Sequence, residues 1–544
     1  MENINTKWQL YMMVGGAEAK PAWTVLQHNG VMFPEPYKPL NIPVLLNGKE
    51  ITLKPQPEEY ALMFAKFIGT EYMENPLFKK NWYSDFIGVL DDNLKHHKLE
   101  EWDFMSLKNY LIAKQEKNKE MTKEEKEKIK EQQSLLDEPY KFCIIDGVQQ
   151  QVGNYKMEPS GIFLGRGTHP KIGRIKKRVR PEDVTLNLSK DAPIPKPNVE
   201  GNWGKIVHDN TVIWLATWKE EITGKNKYVF TSLDSFFKSA SDESKFDLAR
   251  KLKKKVGAIR STYMASLNSE DMKQRQLATA LYLIDNLALR VGGSKDTKEE
   301  ADTVGVTSLR VEHIALLEND TIKLDFLGKD SVRFCKKVKV DSMVYNNLKL
   351  FSENKKNKDE LFDLVVASTL NEYLSSFLEG LTAKVWRTYN ASMVFQKELD
   401  KIKPEVLEKI SGNERLNYLI AMFNQANTAV ALLCNHQKQV NANLEVALDK
   451  INDRIKELRK KKEKTNNKDK IKSYTEKINS LKLKKETKEK MKNVSLGTSK
   501  NNYIDPRIIF AFIKKFEIPP EKLFTSNLIK RFQWASVVDV EWRF

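Results

Sequence analysis

The sequence is poor in cysteine and contains no long apolar run. Its three cysteines, Cys143, Cys335 and Cys434, are spread over 544 residues. This excludes a disulfide framework and a Cys-x-x-Cys metal site and fits a reducing compartment. The longest apolar stretches, such as residues 429–434, fall far short of the roughly 18 residues that cross a bilayer. Because no charged and then apolar leader opens the sequence, we expect a soluble, non-secreted protein with no membrane partner.

Motifs for nucleotide and metal chemistry are also missing. No GxxxxGK[ST] string occurs, since Gly328-Lys329 is followed by Asp330, so a P-loop enzyme is not expected. The seven histidines are scattered and form no HExxH or Cys/His cluster. Asp539 and Glu541 stand close together near the end, but an isolated acidic pair is more typical of a surface than of a magnesium site. The sequence therefore predicts neither a metal site nor a bound cofactor.

Positive charge is present in excess. The 91 Lys and Arg minus the 73 Asp and Glu leave +18, which favours a polyanionic partner, most often nucleic acid. Residues 448–492 hold 18 basic and 8 acidic residues, which is +10 of that excess. Apolar residues recur there at helical spacing on both sides of Thr465-Asn466-Asn467 and predict two charged helices in an antiparallel hairpin. A solvated linker and direct phosphate contact both remain open for this hairpin.

A second basic run, KIGRIKKRVR, occupies residues 171–180 and has six basic residues and no acidic one. It follows a Gly-Arg-Gly string in which the glycines leave the backbone bare enough to approach a polyanion closely. A solvated strand edge that carries lysines is the alternative. The candidate nucleic-acid contacts in this region are Arg166, Lys171, Arg174, Lys176 and Lys177.

A tyrosine stands next to a helix start near the end of the chain. The string LGTSKNNYIDPR contains Tyr503, with Asp505 as the predicted helix cap and Pro506 in the first turn. The pattern SKxxYxDPR resembles the active-site motif of eukaryotic type IB DNA topoisomerases. The strings LALRVGG, DFLGKDS, EGLTAKVWRTYNAS and LLCNHQ resemble further motifs of that family in the same order. The similarity extends over roughly 520 of the 544 residues.

The resemblance implies an enzyme with five catalytic residues, namely Tyr503, Arg290, Lys329, Arg387 and His436. In that family the tyrosine cleaves one strand of double-stranded DNA to a 3′-phosphotyrosine, and the free 5′ end rotates. Religation then leaves the DNA relaxed, without ATP or an obligatory metal. The two arginines and the histidine bind the phosphate, and the lysine protonates the departing 5′ oxygen.

The resemblance further implies inhibitor and DNA contacts. Arg166, Asp330 and Asn502 are expected to line the site of camptothecin-type inhibitors, and Asn502 also to contact DNA. The family implies a nuclear monomer that clamps DNA. The long charged N-terminal extension usual in its eukaryotic members is absent or removed, so the nuclear location rests on the family alone.

The residues themselves fit this chemistry. A phenol with a pKa near 10 is only about 0.1% ionised at pH 7, so an attacking Tyr503 needs positive charge beside it. Helical periodicity places Arg290 at the end of a helix stopped by Gly-Gly, and Arg387 in a helix that starts near residue 382. It also places His436 on the inward face of a third helix. Two alternating runs predict a β-hairpin with Lys329 near its tip.

We expect an α+β multidomain protein in the form of a bilobed DNA clamp. A mixed α/β cap lobe of two subdomains, residues 23–232, follows an N-terminal segment, residues 1–22. A mostly helical catalytic lobe of the tyrosine-recombinase and topoisomerase IB type spans residues 233–440. A charged antiparallel coiled-coil linker, residues 441–494, leads to a small helical C-terminal domain, residues 495–544, that carries the tyrosine.

Three other kinds of protein share some of these sequence features. Tyrosine recombinases share the fold and the arginine, lysine and tyrosine roles, but they usually carry an HxxR pattern, whereas Lys384 stands three residues before Arg387 here. A non-enzymatic architectural DNA-binding protein would explain the charge but not the five matched positions. An RNA-binding protein would be expected to show an aromatic RNP-type string, which the sequence lacks.

Overall fold

The computed structural model describes residues 21–437, 443–490 and 492–544. Sixteen α-helices and fifteen short strands in five small sheets occupy these ranges, so the mixed α and β class is as predicted. The chain forms two compact units, Met1–Lys238 with Lys295–Asp302, and Ser239–Ser294 with Thr303–Phe544. Of the predicted N-terminal segment 1–22, residues 1–20 lie outside the described residues.

The first unit holds four of the sheets. Their strand orders are β1-β5-β6, β3-β2-β4, β7-β8 and β10-β9-β11-β12, and β10 pairs with β9 in parallel. The strands are β1 Leu26–His28, β2 Val44–Leu46, β3 Lys49–Ile51, β4 Trp102–Asp103, β5 Phe142–Ile145, β6 Val148–Gln151, β7 Gly161–Ile162, β8 Ile175–Lys176, β9 Thr185–Asn187, β10 Lys205–Val207, β11 Ala216–Lys219 and β12 Asn226–Val229.

Four helices complete the first unit. They are α1 Pro55–Ala65, α2 Pro76–Ile87, α3 Met105–Glu120 and α4 Lys123–Asp137. Prolines begin α1 and α2, where a missing N–H costs no hydrogen bond. Phe64 stacks on Trp82 at 3.9 Å between ring centroids, and Trp82 stacks on Phe86 at 4.8 Å. These aromatic contacts fix α1 against α2 in one buried cluster.

The second unit is mostly helical and carries one antiparallel sheet of order β13-β14-β15. Its strands are β13 Ile314–Leu317, β14 Thr321–Leu327 and β15 Arg333–Lys339. Its helices are α5 Phe236–Ser266, whose first residues belong to the first unit, α6 Met272–Leu287, α7 Ser342–Ser352, α8 Ala367–Phe377, α9 Ala383–Leu399, α10 Pro404–Leu407, α11 Gly412–Leu433, α12 Asn443–Glu463, α13 Lys468–Lys490, α14 Leu496–Asn502, α15 Pro506–Phe516 and α16 Ser526–Arg531.

One large core unites α6, α9, α11 and α15 in this unit. The stripe Leu277, Leu281 and Ile284 on α6 is buried as the sequence pattern predicts. The Asp505 side chain accepts a hydrogen bond from the Arg507 N–H and caps α15, also as predicted. The segment that carries Tyr503 is thereby anchored to the core and is not a loose tail.

The lysine-rich segment forms the two helices that its periodicity predicts. α12 and α13 are separated by residues 464–467 and pack on each other. Their shared core consists of Ile451, Ile455, Leu458 and Ile478. The apolar contact between two otherwise charged helices is therefore only a few side chains wide.

Candidate active site

Four of the five predicted catalytic residues line one cavity of about 130 Å³ in the second unit, namely Arg290, Lys329, Arg387 and His436. The fifth, Tyr503, contacts three of them. Arg290 Nη1 donates to its hydroxyl oxygen at 3.0 Å, its ring lies 5.3 Å from the His436 ring, and the Arg387 guanidinium lies 5.0 Å from its centroid. The structure thus brings all five together from positions as far as 213 residues apart.

Arg290 does not end a helix, which corrects the sequence prediction. Helix α6 ends at Leu287 because Ala288 adopts the left-handed backbone conformation (φ 50°), and Arg290 follows in an extended segment. A Cβ at Gly305 would lie 2.4 Å from the backbone nitrogen of Gly292. Gly292 and Gly305 therefore permit a close approach of the two backbone segments that carry them, and Gly292 does not act as a helix stop.

Arg387 is fixed by backbone carbonyls. It lies near the start of α9, whose N-cap is Thr382, as the sequence predicts. The side chain is 4% exposed, and its Nη1 and Nη2 donate to the carbonyls of Ala288 and Cys434, the latter at 3.2 Å. Its Nε is buried without a hydrogen-bond partner among the described residues. The two carbonyls thus hold the guanidinium in one orientation, and its Nε–H remains available to a ligand.

Tyr503 is a buried nucleophile candidate. It follows α14 as its C-cap residue and is 5% exposed. Its backbone N–H donates to the Ser499 carbonyl at 2.9 Å, and the Ser392 hydroxyl donates to its carbonyl at 3.3 Å. The Arg290 guanidinium can only donate, so its bond to the phenol oxygen strengthens as negative charge develops there.

His436 lies beyond the helix on which the sequence placed it. Helix α11 ends at Leu433, and Asn435 has a left-handed backbone (φ 54°), so the histidine turns back toward the site. It is 7% exposed. Burial lowers its pKa to about 3, with smaller contributions from the positive charges of Arg387 and Arg290. The imidazole is therefore neutral at physiological pH.

Lys329 stands on the β-hairpin that the sequence predicts. It begins a 3₁₀ turn between β14 and β15, and the next residue, Asp330, has a left-handed backbone (φ 66°). The Nδ2 of Asn435 and the Nε2 of Gln437 both donate to the Arg333 carbonyl at 3.1 Å. The tip end of the hairpin is thus tied to the segment that carries the histidine, while Lys329 itself is exposed.

The other predicted contacts are distributed over both units. Arg166 is exposed in the first unit, and Asp330 and Asn502 are exposed in the second. The structure pairs the four candidate contacts of the basic run with acids of the first unit. These pairs are Lys171 with Glu299, Arg174 with Asp85, Lys176 with Glu158 and Lys177 with Glu221.

Two site-supporting residues were missed in the sequence. The Ser499 hydroxyl lies 2.8 Å from His436 Nδ1. The buried Asp285 accepts hydrogen bonds from Arg260, from Tyr263 and from Trp386 Nε1, the residue before Arg387. Ser499 belongs to the SKxxY string and could have been singled out there, whereas no sequence signal points to Asp285.

Neither a metal cluster nor a membrane span is found in the described ranges. No three His, Cys, Asp or Glu side chains are grouped there to hold a metal ion. No described helix is both long enough and apolar enough to cross a membrane.

Comparison with known proteins covers almost the whole chain. The family model described as eukaryotic DNA topoisomerase I, catalytic core, matches residues 234–492. The DNA binding fragment of the same family matches residues 21–231, and a C-terminal topoisomerase domain matches residues 475–544. One matched model is a DNA binding fragment, so DNA is the partner of this chain. The matches favour the topoisomerase family over the recombinase, architectural and RNA-binding alternatives.

Curated relatives agree with the family models. The chain is 40% identical to DNA topoisomerase 1 of Candidozyma auris, over 97% of this chain and 84% of that protein. It is 40% identical to DNA topoisomerase 1 beta of Arabidopsis thaliana, over 97% of this chain and 60% of that protein. It is 39% identical to DNA topoisomerase 1 of Homo sapiens, over 96% of this chain and 72% of that protein. The chain therefore belongs to the eukaryotic DNA topoisomerase I family and is a type IB DNA topoisomerase, an isomerase that relaxes supercoiled DNA.

Proposed function

We propose that relaxation proceeds by transient cleavage of one DNA strand, with Tyr503 as the nucleophile. The observation that carries this proposal is the convergence of Arg290, Arg387 and His436 on the tyrosine, with Lys329 on the wall of the same cavity. Each of these residues alone has an ordinary structural explanation. Together they supply a nucleophile, phosphate-binding donors and a general acid.

The reaction is a pair of transesterifications. The Tyr503 oxygen attacks phosphorus and loses its proton to solvent, and the bond from phosphorus to the 5′ oxygen breaks. Lys329 donates a proton to that oxygen, which leaves a 3′-phosphotyrosine and a free 5′ hydroxyl. After strand rotation the hydroxyl attacks phosphorus and releases the phenol. Because one phosphoester replaces another, the energy of the bond is conserved and the reaction needs neither ATP nor an obligatory metal.

Buried hydrogen-bond donors would stabilise the transition state. Arg387 Nε and His436 Nε2 are both buried without hydrogen-bond partners among the residues that the structure describes. A buried polar group without a partner costs about 1–3 kcal/mol, and such groups commonly await a ligand. Non-bridging phosphate oxygens would accept hydrogen bonds from both groups. Arg290 would keep its hydrogen bond to the oxygen of Tyr503 while that oxygen changes from a phenol to an ester.

Phosphate contacts would dominate DNA binding. We assign such contacts to Arg166, to Asn502 and to the cations of the basic run at residues 171–180. Five cations of the run form ion pairs in the DNA-free chain, and they must exchange carboxylates for phosphates when DNA binds. DNA affinity should therefore depend on salt concentration. If a monomer clamps the duplex, a plot of the logarithm of the DNA association constant against the logarithm of salt concentration should be a falling line. Its slope should be about −0.9 for each phosphate that the protein neutralises. A flat salt dependence would contradict the clamp.

The remaining family properties are part of the same proposal. The domain boundaries at 23–232, 233–440, 441–494 and 495–544 belong to this proposal. The limits near residues 23, 232 and 494 are supported by family models that begin or end at residues 21, 231, 234 and 492. A nuclear location follows from a eukaryotic family that acts on DNA. Arg166, Asp330 and Asn502 would line the camptothecin site, so camptothecin should trap cleavage complexes in which a protein-linked strand accumulates.

The test uses supercoiled plasmid in EDTA without ATP. The wild-type chain should relax it, and Tyr503→Phe should not. Tyr389→Phe is the matched control, because Tyr389 is a tyrosine of the same unit with the same 5% exposure, and this variant should relax the plasmid. In denaturing gels the protein should stay attached to the strand labelled at its 5′ end, as a 3′-phosphotyrosine requires. An ATP or magnesium requirement, or relaxation by Tyr503→Phe, would contradict the mechanism.

A further inference from the structure

The two ring nitrogens of His436 have different surroundings. Nδ1 lies 2.8 Å from the hydroxyl oxygen of Ser499, whereas Nε2 is buried and has no hydrogen-bond partner among the described residues. Ser499 is 0% exposed, so water does not reach its hydroxyl. The neutral imidazole carries one proton, and the Ser499 hydroxyl can either donate to Nδ1 or accept from it. The two arrangements leave different groups unsatisfied.

Counting these groups favours one tautomer. If the hydroxyl donates to Nδ1, the ring proton is on Nε2, and Nε2–H is the one group of the pair without a partner. If Nδ1–H donates to the hydroxyl oxygen, Nε2 is an unpartnered acceptor and the hydroxyl proton has no other acceptor within the described part of the chain. The second arrangement therefore leaves two buried groups unsatisfied instead of one, and each such group is costly.

We propose that Ser499 is a positioning residue that donates its hydroxyl proton to His436 Nδ1, and so keeps the histidine proton on Nε2, where it can bind a non-bridging oxygen of the scissile phosphate. This inference rests on the proposed function, in which His436 binds that phosphate. The opposite tautomer would present a lone pair to an anionic oxygen and repel it. Ser499 thus determines whether the buried histidine attracts or repels the substrate.

The same residue also fixes the nucleophile, through its backbone. The Ser499 carbonyl accepts hydrogen bonds from the N–H groups of Tyr503 at 2.9 Å and of Ile504 at 3.1 Å. These bonds do not involve the hydroxyl. Ser499→Ala therefore removes the contact with His436 while it retains the backbone contact with the tyrosine, so the variant separates the two roles.

The first test is a measurement on the wild-type chain. Nitrogen-15 NMR of the histidine-labelled protein, with the His436 signals assigned by their loss in His436→Ala, reports which ring nitrogen carries the proton. We expect a pyrrole-type shift at Nε2 and a pyridine-type shift at Nδ1, and a mixture or reversal of the two in Ser499→Ala. A proton on Nδ1 in the wild type, or an unchanged signal in Ser499→Ala, would overturn the proposal.

The second test is single-turnover cleavage of a DNA oligonucleotide that cannot religate. Ser499→Ala should cleave about 5- to 30-fold more slowly, as expected for the loss of one productive hydrogen bond. Ser499→Thr, which retains the hydroxyl, should recover most of the rate. Ser495→Ala is the matched control, and its cleavage rate should be unchanged. It also removes a serine hydroxyl, at the N-cap of the same helix, but that hydroxyl lies 3.3 Å from Thr498 Oγ1.

A double variant separates positioning from general stability. If Ser499 acts through the histidine, His436→Ala with Ser499→Ala should cleave within about twofold of His436→Ala alone. The proposal would be overturned if the rate reductions of the two single variants multiplied in the double variant. It would also be overturned if Ser499→Ala cleaved at the wild-type rate. If His436→Ala itself cleaves like the wild type, the role of His436 in the proposed function fails. If His436→Ala is slow and Ser499→Ala is not, only the role of Ser499 fails.

Discussion

The low pKa of His436 makes a quantitative prediction for stability. The ordinary histidine pKa is about 6.5, and burial lowers that of His436 to about 3 in the folded chain. Between these values the unfolded chain binds a proton that the folded chain does not, so the free energy of unfolding rises with pH. From about pH 7.5 down to about pH 4.5, this one residue should destabilise the protein by about 2.6 kcal/mol.

The perturbation that isolates this contribution is His436→Gln. The glutamine does not titrate, so the difference in unfolding free energy between variant and wild type should shift by that amount in favour of the variant as the pH falls. Urea unfolding followed by circular dichroism across the same pH range measures this difference. A constant difference would show that the folded histidine titrates normally. In that case the residue would offer the phosphate a positive charge at acidic pH, and the reasoning about a neutral donor would be refuted.

Changes at three other positions are expected to act through the contacts described above. Arg387→Lys should slow single-turnover cleavage about 10²- to 10³-fold, because the single nitrogen of an ammonium cannot reach the separate positions of Nη1, Nη2 and Nε of the guanidinium; a rate near the wild type would contradict this. Asp285→Asn should lower the free energy of unfolding by about 2 kcal/mol in urea titrations, because the carboxylate binds Trp386 and two further donors. Ile455→Asp should abolish packing against Ile478 and expose the α12–α13 hairpin to limited proteolysis, with strand cleavage retained; a protease-resistant hairpin would refute this.

Local patterns predicted much of the second unit. The β14–β15 hairpin, the Asp505 cap and the two charged helices follow from alternation, capping and helical period, which depend on residues close in the chain. The ends of α6 and α11 were not predicted, because each is set by long-range contacts. Arg387 draws its hydrogen bonds from the carbonyls of Ala288 and Cys434, one just beyond the end of each helix.

The candidate site itself depended on resemblance to a family. Arg290 and Tyr503 are 213 residues apart, and no periodicity could place the guanidinium on the phenol oxygen. The motif strings locate these residues only because the strings resemble those of a known family. Contacts outside those strings, such as the buried carboxylate of Asp285, are visible only in the folded chain, since they join residues of α5, α6 and α9.

The burial of Tyr503 has a consequence for the free enzyme. Its oxygen already accepts a hydrogen bond from Arg290, and its ring contacts the Arg387 guanidinium and the His436 ring. These groups are held together by the fold before DNA is present, so the geometry does not have to be assembled from flexible side chains when a phosphate binds. If Tyr503 is the nucleophile, as proposed, the site is preorganised: the entropy cost of positioning the phenol is met during folding and does not draw on the binding energy of DNA.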